Sequence, residues 1–153
     1  MIYLDSSALI KLVAEEPQSP ALEVWIGERL PVDLVSSRLA QVEVMRGVRR
    51  IDAELLPSAA QLLARVGLLS LDARQVLDLA STVGSPHLRS LDAIHLASAL
   101  ILGDALDAFV GYDRRLLDAA ADLGLPVVSP ASRVGGRGAR RPPSRPARTR
   151  GLR

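Results

Sequence analysis

Along its first 130 residues the chain alternates short apolar runs with longer segments whose apolar positions recur at helical spacing. Residues 2–5 (IYLD) predict a short strand with Asp5 at its carboxyl end. Residues 6–16 read as a helix capped by Ser6 or Ser7, with Pro17 beyond its end. Residues 18–30 predict a second helix, with Ser19 as cap and Pro20 in the first turn. A strand over 32–37 (VDLVSS) leads into a helix over 38–51, whose apolar face is Ala40, Val44, Gly47, Val48 and Ile51. Residues 53–67 are again helical, with Pro57 limiting where the helix begins, and 68–71 form a third strand. A helix over 72–84 stops at Gly84. After a loop comes LDAIHLASAL (91–100), apolar nearly all the way round and so a buried helix, stopping near Gly103. Residues 107–113 predict a strand ending in Asp113, 113–124 a helix with Gly124 as its stop, and 125–130 a last short strand. Strands alternating with helices, without hairpin signals, predict an α/β fold built of right-handed βαβ units around a parallel sheet.

Composition narrows this picture. The 153 residues suffice for one domain with a sizeable core. Apolar residues make up 48% and aromatic residues only 3%, so that core is one of Leu, Val, Ala and Ile. The absence of cysteine excludes a disulfide framework and a thiolate metal site. No apolar run approaches the roughly 20 residues of a membrane span. The start, MIYLDSSALIKL, lacks a basic leader and a small-residue cleavage site. A soluble cytoplasmic protein with no membrane partner is expected.

Charge divides the chain in two. Of the 19 basic residues, eight are arginines within 133–153, a stretch with no acid; residues 1–132 keep 11 basic against all 17 acidic residues. Residues 1–132 are therefore read as the folded domain and 133–153 as an Arg/Pro/Gly-rich tail expected to be disordered, since it holds too few large apolar residues to fold alone. The tail offers two electrostatic roles. It would collect RNA beside an acidic site, in which case its removal flattens the salt dependence of RNA binding. Alternatively, one of its arginines would pair with the acids and compete with metal.

The folded part carries four acids of interest. Parallel α/β sheets bind ligands beyond the carboxyl ends of their strands. Asp5 and Asp113 both stand at that edge. Asp92 opens the apolar helix that feeds the Asp113 strand, where the helix dipole tolerates a negative charge, and Ser90 offers a cap. Glu43 lies about one turn into the helix after the second strand, on the face of Arg46 and Arg50. Taken singly, Asp5 and Asp113 also suit helix caps, and Glu43 with Arg46 suits a surface pair. His95, three residues after Asp92, suits a hydrogen-bonded core histidine that tethers its helix. Taken together, four carboxylates in one pocket either take up protons as a coupled group or bind a cation. Oxygen ligands without a Cys or His set suit Mg²⁺, with Mn²⁺ as the substitute, and so metal-assisted hydrolysis of a phosphate ester.

The blocks MIYLDSSALIKL, EVMRGVRR, LDAIHLASAL and YDRRLLDAAADLGLPVVSP, in this order and at these intervals, resemble the PIN-domain toxins of VapBC toxin–antitoxin systems over about residues 1–131. The resemblance implies a three-layer α/β/α fold with strand order 3-2-1-4-5, which makes the Asp5 and Asp113 strands neighbours. It implies a Mg²⁺- or Mn²⁺-dependent ribonuclease that cuts RNA, tRNA or rRNA, to arrest translation. The family's metal-binding acids match Asp5, Glu43, Asp92 and Asp113, and its hydroxyl after the first acid matches Ser7, which would orient a ligand or water. It further implies homodimerisation and a VapB antitoxin that masks the site. Two departures stand out. Many members carry Thr or Ser two residues before the last acid, where this chain has Gly111, and the arginine-rich tail lies outside the pattern. A competing enzyme class, the aspartate-nucleophile phosphatases, wants a second Asp two residues after the first, where this chain has Ser7. A non-enzymatic competitor is an inactive scaffold of the same fold that only binds RNA or antitoxin.

Overall fold

A computed structural model of the chain describes residues 1–71 and 74–131. The arginine-rich tail, 133–153, and the first residues of the helix expected over 72–84 lie outside the described residues. Five strands, β1 (Ile2–Leu4), β2 (Leu34–Ser37), β3 (Gly67–Leu69), β4 (Ala108–Val110) and β5 (Val127–Val128), form one parallel sheet in the order β3-β2-β1-β4-β5. That is the three-layer α/β/α order expected.

Side chains alternate across the strands, and both sheet faces are covered, as a parallel sheet requires. On β1, Ile2 and Leu4 face one layer, with Leu9 of α1 (Ser6–Lys11), Leu22 of α2 (Ser19–Gly27), Val44 and Val48 of α3 (Leu39–Ile51) and Ala59 of α4 (Leu56–Leu63). Tyr3 faces the other, with Leu96 of α6 (Ser90–Leu100) and Leu116 and Ala120 of α7 (Arg114–Asp122). The short α5 (Arg74–Ala80) packs on α6. Gly47 permits the close approach of α1 to α3: a Cβ there would lie 2.5 Å from Ile10 Cδ1. Among the described residues no helix is long and apolar enough to cross a membrane.

Several elements end earlier than the sequence pattern predicts, for local reasons. Strand β1 ends at Leu4, because Asp5 turns the chain by accepting the Ala8 N–H and so caps α1 in place of Ser6 or Ser7. Helix α1 stops at Lys11 rather than 16: the Val13 and Ala14 N–H groups both fold back onto the Ile10 carbonyl, and Lys11 pairs with Glu16. Gln18, not Ser19, occupies the cap of α2, and the Ser19 hydroxyl instead accepts the Glu16 N–H. Arg89, not Ser90, precedes α6, with no side-chain cap bond. Ile51, expected on the buried face of α3, is exposed, because that face ends at Val48 one turn earlier.

Candidate active site

The strand order reverses between β1 and β4, and the chain segments leaving these two strands build the site. Asp5 follows β1 directly and is buried. The Ser7 hydroxyl (2.7 Å) and the Ala8 N–H (2.8 Å) both donate to its Oδ1. Its other oxygen leans over Gly111, just past β4. A Cβ built on Gly111 would stand 2.6 Å from Asp5 Oδ2 and 2.8 Å from its Cγ. The glycine that departs from the family pattern is thus the residue that makes room for the first acid. The same loop is held from the other side, since the Tyr112 N–H donates to Ser7 Oγ at 2.8 Å. The Ser7 hydroxyl therefore ties the β1 and β4 exits together, accepting from Tyr112 while it donates to Asp5. Burial pushes the Asp5 carboxyl up, against the pull of the Ser7 and Ala8 hydrogen bonds.

Glu43 projects from the second turn of α3 and is half-buried. Its partner is His95 rather than Arg46: His95 Nε2 lies 2.8 Å from Glu43 Oε2, and the Ser6 hydroxyl donates to the same oxygen. Partial burial works to raise the Glu43 carboxyl, but the His95 and Ser6 hydrogen bonds and the nearby imidazole outweigh it and hold the group below its usual range. His95 is the buried, hydrogen-bonded histidine expected from the apolar helix, and its Nδ1 faces the Tyr3 hydroxyl at 2.8 Å.

Asp92 and Asp113 form the opposite wall. Asp92 sits in the first turn of α6, half-buried, and no hydrogen bond reaches its carboxylate among the described residues. Burial and the Asp113 charge push its carboxyl up, with Arg89, His95 and Arg115 pulling the other way. Asp113 lies three residues past β4 and caps α7, accepting the Arg115 and Leu116 N–H groups on Oδ1 at 2.9 and 3.4 Å. Both cap readings of the sequence are therefore realised, and each capping Asp spends one oxygen on its helix. A groove of about 440 Å³ opens beside Ser7, Tyr112 and Asp113, with Lys11, Arg50 and Ile51 along it.

As the side chains stand, no three of the acids and histidines gather as a metal-holding group among the described residues. The fit to a hard dication is one of donor chemistry and placement. The donors are carboxylate oxygens, and a nearby positive charge would relieve the raised carboxyls of Asp5 and Asp92. Sequence reasoning missed Ser6 and Tyr3. The signal for Ser6 was its place beside Ser7 after Asp5, where it read as a cap; the two serines in fact serve two different acids, and nothing in the local pattern marked Tyr3.

Residues 2–122 match the PIN domain family. This chain is a PIN-domain protein. It is 43% identical over 132 residues to ribonuclease VapC35 of Mycobacterium tuberculosis, covering 85% of this chain and 97% of that protein. It is 45% identical over 130 residues to ribonuclease VapC46 of the same organism, covering 85% and 98%, and 41% identical over 139 residues to ribonuclease VapC47, covering 86% and 98%. In fold, this VapC-type chain is similar to a solved structure of FitAB bound to an IR36 DNA fragment, with a TM-score of 0.57 at 20% identity over 85% of this chain and 95% of that one.

Proposed function

We propose that this VapC-type protein is the toxin of a type II toxin–antitoxin system, a metal-dependent endoribonuclease that hydrolyses RNA phosphodiesters and so inhibits translation. The observation that carries this reading is Asp5 buried at the exit of β1 against Gly111 at the exit of β4, and it is supported by Asp92 facing the charge of Asp113. The ribonuclease names of its relatives support RNA as the substrate. The VapC kinship supports a VapB-like antitoxin and a homodimer as its assemblies.

In this reading Asp5 and Asp92 hold the principal ion, Mg²⁺ or Mn²⁺, and Glu43 and Asp113 complete the set. The chemistry such an ion supplies when bound is polarisation of the phosphodiester and a lowered pKa for a bound water. The chain's own residues do the rest. Ser7 and the Ala8 N–H fix the Asp5 carboxylate, leaving Oδ2 for a ligand. Glu43, its carboxyl held below the usual range by His95 and Ser6, offers its remaining oxygen to that set. Arg50 lines the groove along which the phosphate chain approaches, where Lys11 is already paired with Glu16.

The test is cleavage of a labelled RNA by the full chain in Mg²⁺. Wild type cuts, a chelator stops it, and Asp5→Asn abolishes it. Undiminished cutting by Asp5→Asn would sink the assignment. The separated acids also favour a second reading, a scaffold that binds RNA or antitoxin without cutting; RNA binding by wild type with no new RNA ends at any Mg²⁺ or Mn²⁺ concentration would select it.

A further inference from the structure

Two buried polar rings stand behind Glu43. Tyr3 is fully buried on β1, and its ring lies parallel to Phe109 with centroids 5.2 Å apart. Its hydroxyl meets the Ser37 N–H at 3.1 Å and His95 Nδ1 at 2.8 Å, while the nearby Ser98 and Ser36 hydroxyls donate to the Ile94 and Leu4 carbonyls. The Ser37 N–H can only donate, so the tyrosine oxygen accepts there and its own proton is available to His95 Nδ1. With Nδ1 accepting that proton, a neutral His95 carries its hydrogen on Nε2, directed at Glu43 Oε2 2.8 Å away. The other neutral form would set a nitrogen lone pair against a carboxylate, with only the Ser6 hydroxyl, 3.2 Å from Nε2 and already bonded to Glu43, to donate to it. His95 is 2% exposed and has no room to exchange its partner for bulk water. The Ser6 hydroxyl donates to the same Oε2, so both bonds on Glu43 fall on one oxygen and Oε1 is left for a ligand.

We propose that Tyr3 and His95 are positioning residues: through a fixed imidazole N–H they clamp one oxygen of Glu43 and present the other to the divalent ion. This rests on the ribonuclease reading, in which Glu43 belongs to the ligand set. It assigns work to the histidine of the apolar α6 helix beyond tethering. Partners of this kind set ligand orientation, and their loss typically lowers metal affinity about 10- to 100-fold.

The experiment uses the full chain and Mn²⁺, in two arms. In calorimetric titration, Tyr3→Phe and His95→Leu are expected to weaken Mn²⁺ binding about 10- to 100-fold. His95→Gln, which keeps an N–H at that place, is expected to recover most of the affinity. In a Glu43→Gln background, His95→Leu is expected to add no further loss. Multiplying losses in that double variant would reduce His95 to a structural residue and overturn the proposal. So would affinities for Tyr3→Phe and His95→Leu within about twofold of wild type. The second arm needs no metal: imidazole ¹⁵N spectra, with His87→Gln to separate the two histidines, are expected to show hydrogen on His95 Nε2 in wild type. Hydrogen on Nδ1 alone would overturn the proposal whatever the affinities. Absence of Mn²⁺ binding by wild type would instead bring down the ribonuclease reading, and this one with it.

Discussion

The two walls of the site are built on opposite principles. On the β1–α3 side, Asp5 and Glu43 are bonded by the chain itself: Ser7 and Ala8 hold one, Ser6 and His95 the other. On the α6–α7 side, Asp92 accepts no hydrogen bond among the described residues and faces the charge of Asp113. Each member of that second wall sits at the start of a helix, where the dipole offsets part of the repulsion. The first wall is oriented before any ligand arrives. The second stays under like-charge strain that a cation would relieve. A site of this kind gains most of its divalent-ion affinity from the unbonded Asp92 and most of its geometry from the acids that the chain already holds.

The largest expected effect separates these contributions. Asp92→Asn should lower RNA cleavage by more than about 100-fold, since the loss of even an outer partner of a metal ligand costs 10- to 100-fold. It should leave the metal-free protein at least as stable as wild type, because it removes a charge that burial and Asp113 disfavour. A drop in the metal-free melting temperature together with intact cleavage would reverse the roles given to the two walls. The next effect strikes the bonded wall. Gly111→Ala drives a methyl to within 2.6 Å of Asp5 Oδ2, and Asp5 has little freedom to retreat because Ser7 and Ala8 grip its other oxygen. Overpacking of this sort costs about 1–3 kcal/mol. At about 2–4 °C per kcal/mol for a chain of this size, differential scanning calorimetry would see it directly. A melting temperature unchanged by Gly111→Ala would mean that Asp5 does not occupy the space above Gly111. Ser7→Ala is milder, removing the bonds to Asp5 and from Tyr112 at about 1 kcal/mol each, and is read in the same scan.

The bonded wall was also the less legible one. The sheet, its layers and the edge on which the acids stand follow from apolar runs and helical periods, and the family likeness supplied the strand order. Asp5 and Asp113 read equally well as caps and as ligands, and the fold makes them caps without deciding the second question. The partnership of Glu43 with His95 spans 52 positions and that of Tyr3 with His95 spans 92, and no local pattern carries contacts of that kind. Arg46, the local choice for Glu43, lost to a buried imidazole that has no solvent to compete for its hydrogen bond. Gly111 was misleading in the other direction. As a letter it signals a missing hydroxyl, and only the position of the Asp5 carboxylate turns it into a steric requirement.

The smallest effect gives the finest contrast, because Glu43 of the first wall and Asp92 of the second should respond to pH with opposite signs. Folding lowers the Glu43 carboxyl below its ordinary value of 4.5. The native state therefore holds that proton less tightly than the unfolded chain. The resulting stability is present above the ordinary value and is lost as pH falls through the lower native one. Folding raises the Asp92 carboxyl above its ordinary value of 3.8. Its ionisation therefore costs the native state, with no cost below that value and a growing one as pH rises toward the higher native one. In urea melts of chelator-treated protein, Glu43→Gln should be destabilising near neutral pH and Asp92→Asn stabilising. Both differences should shrink toward zero as the pH is taken below about 4. Each side chain is partly solvated, which keeps either difference under about 1 kcal/mol. Divalent ion should enlarge the first contrast and invert the second, because wild type then gains from Asp92 what it loses without the ion. Two variants shifting the same way at neutral pH in the metal-free protein would mean that Glu43 and Asp92 do not differ in how the chain supports their charge.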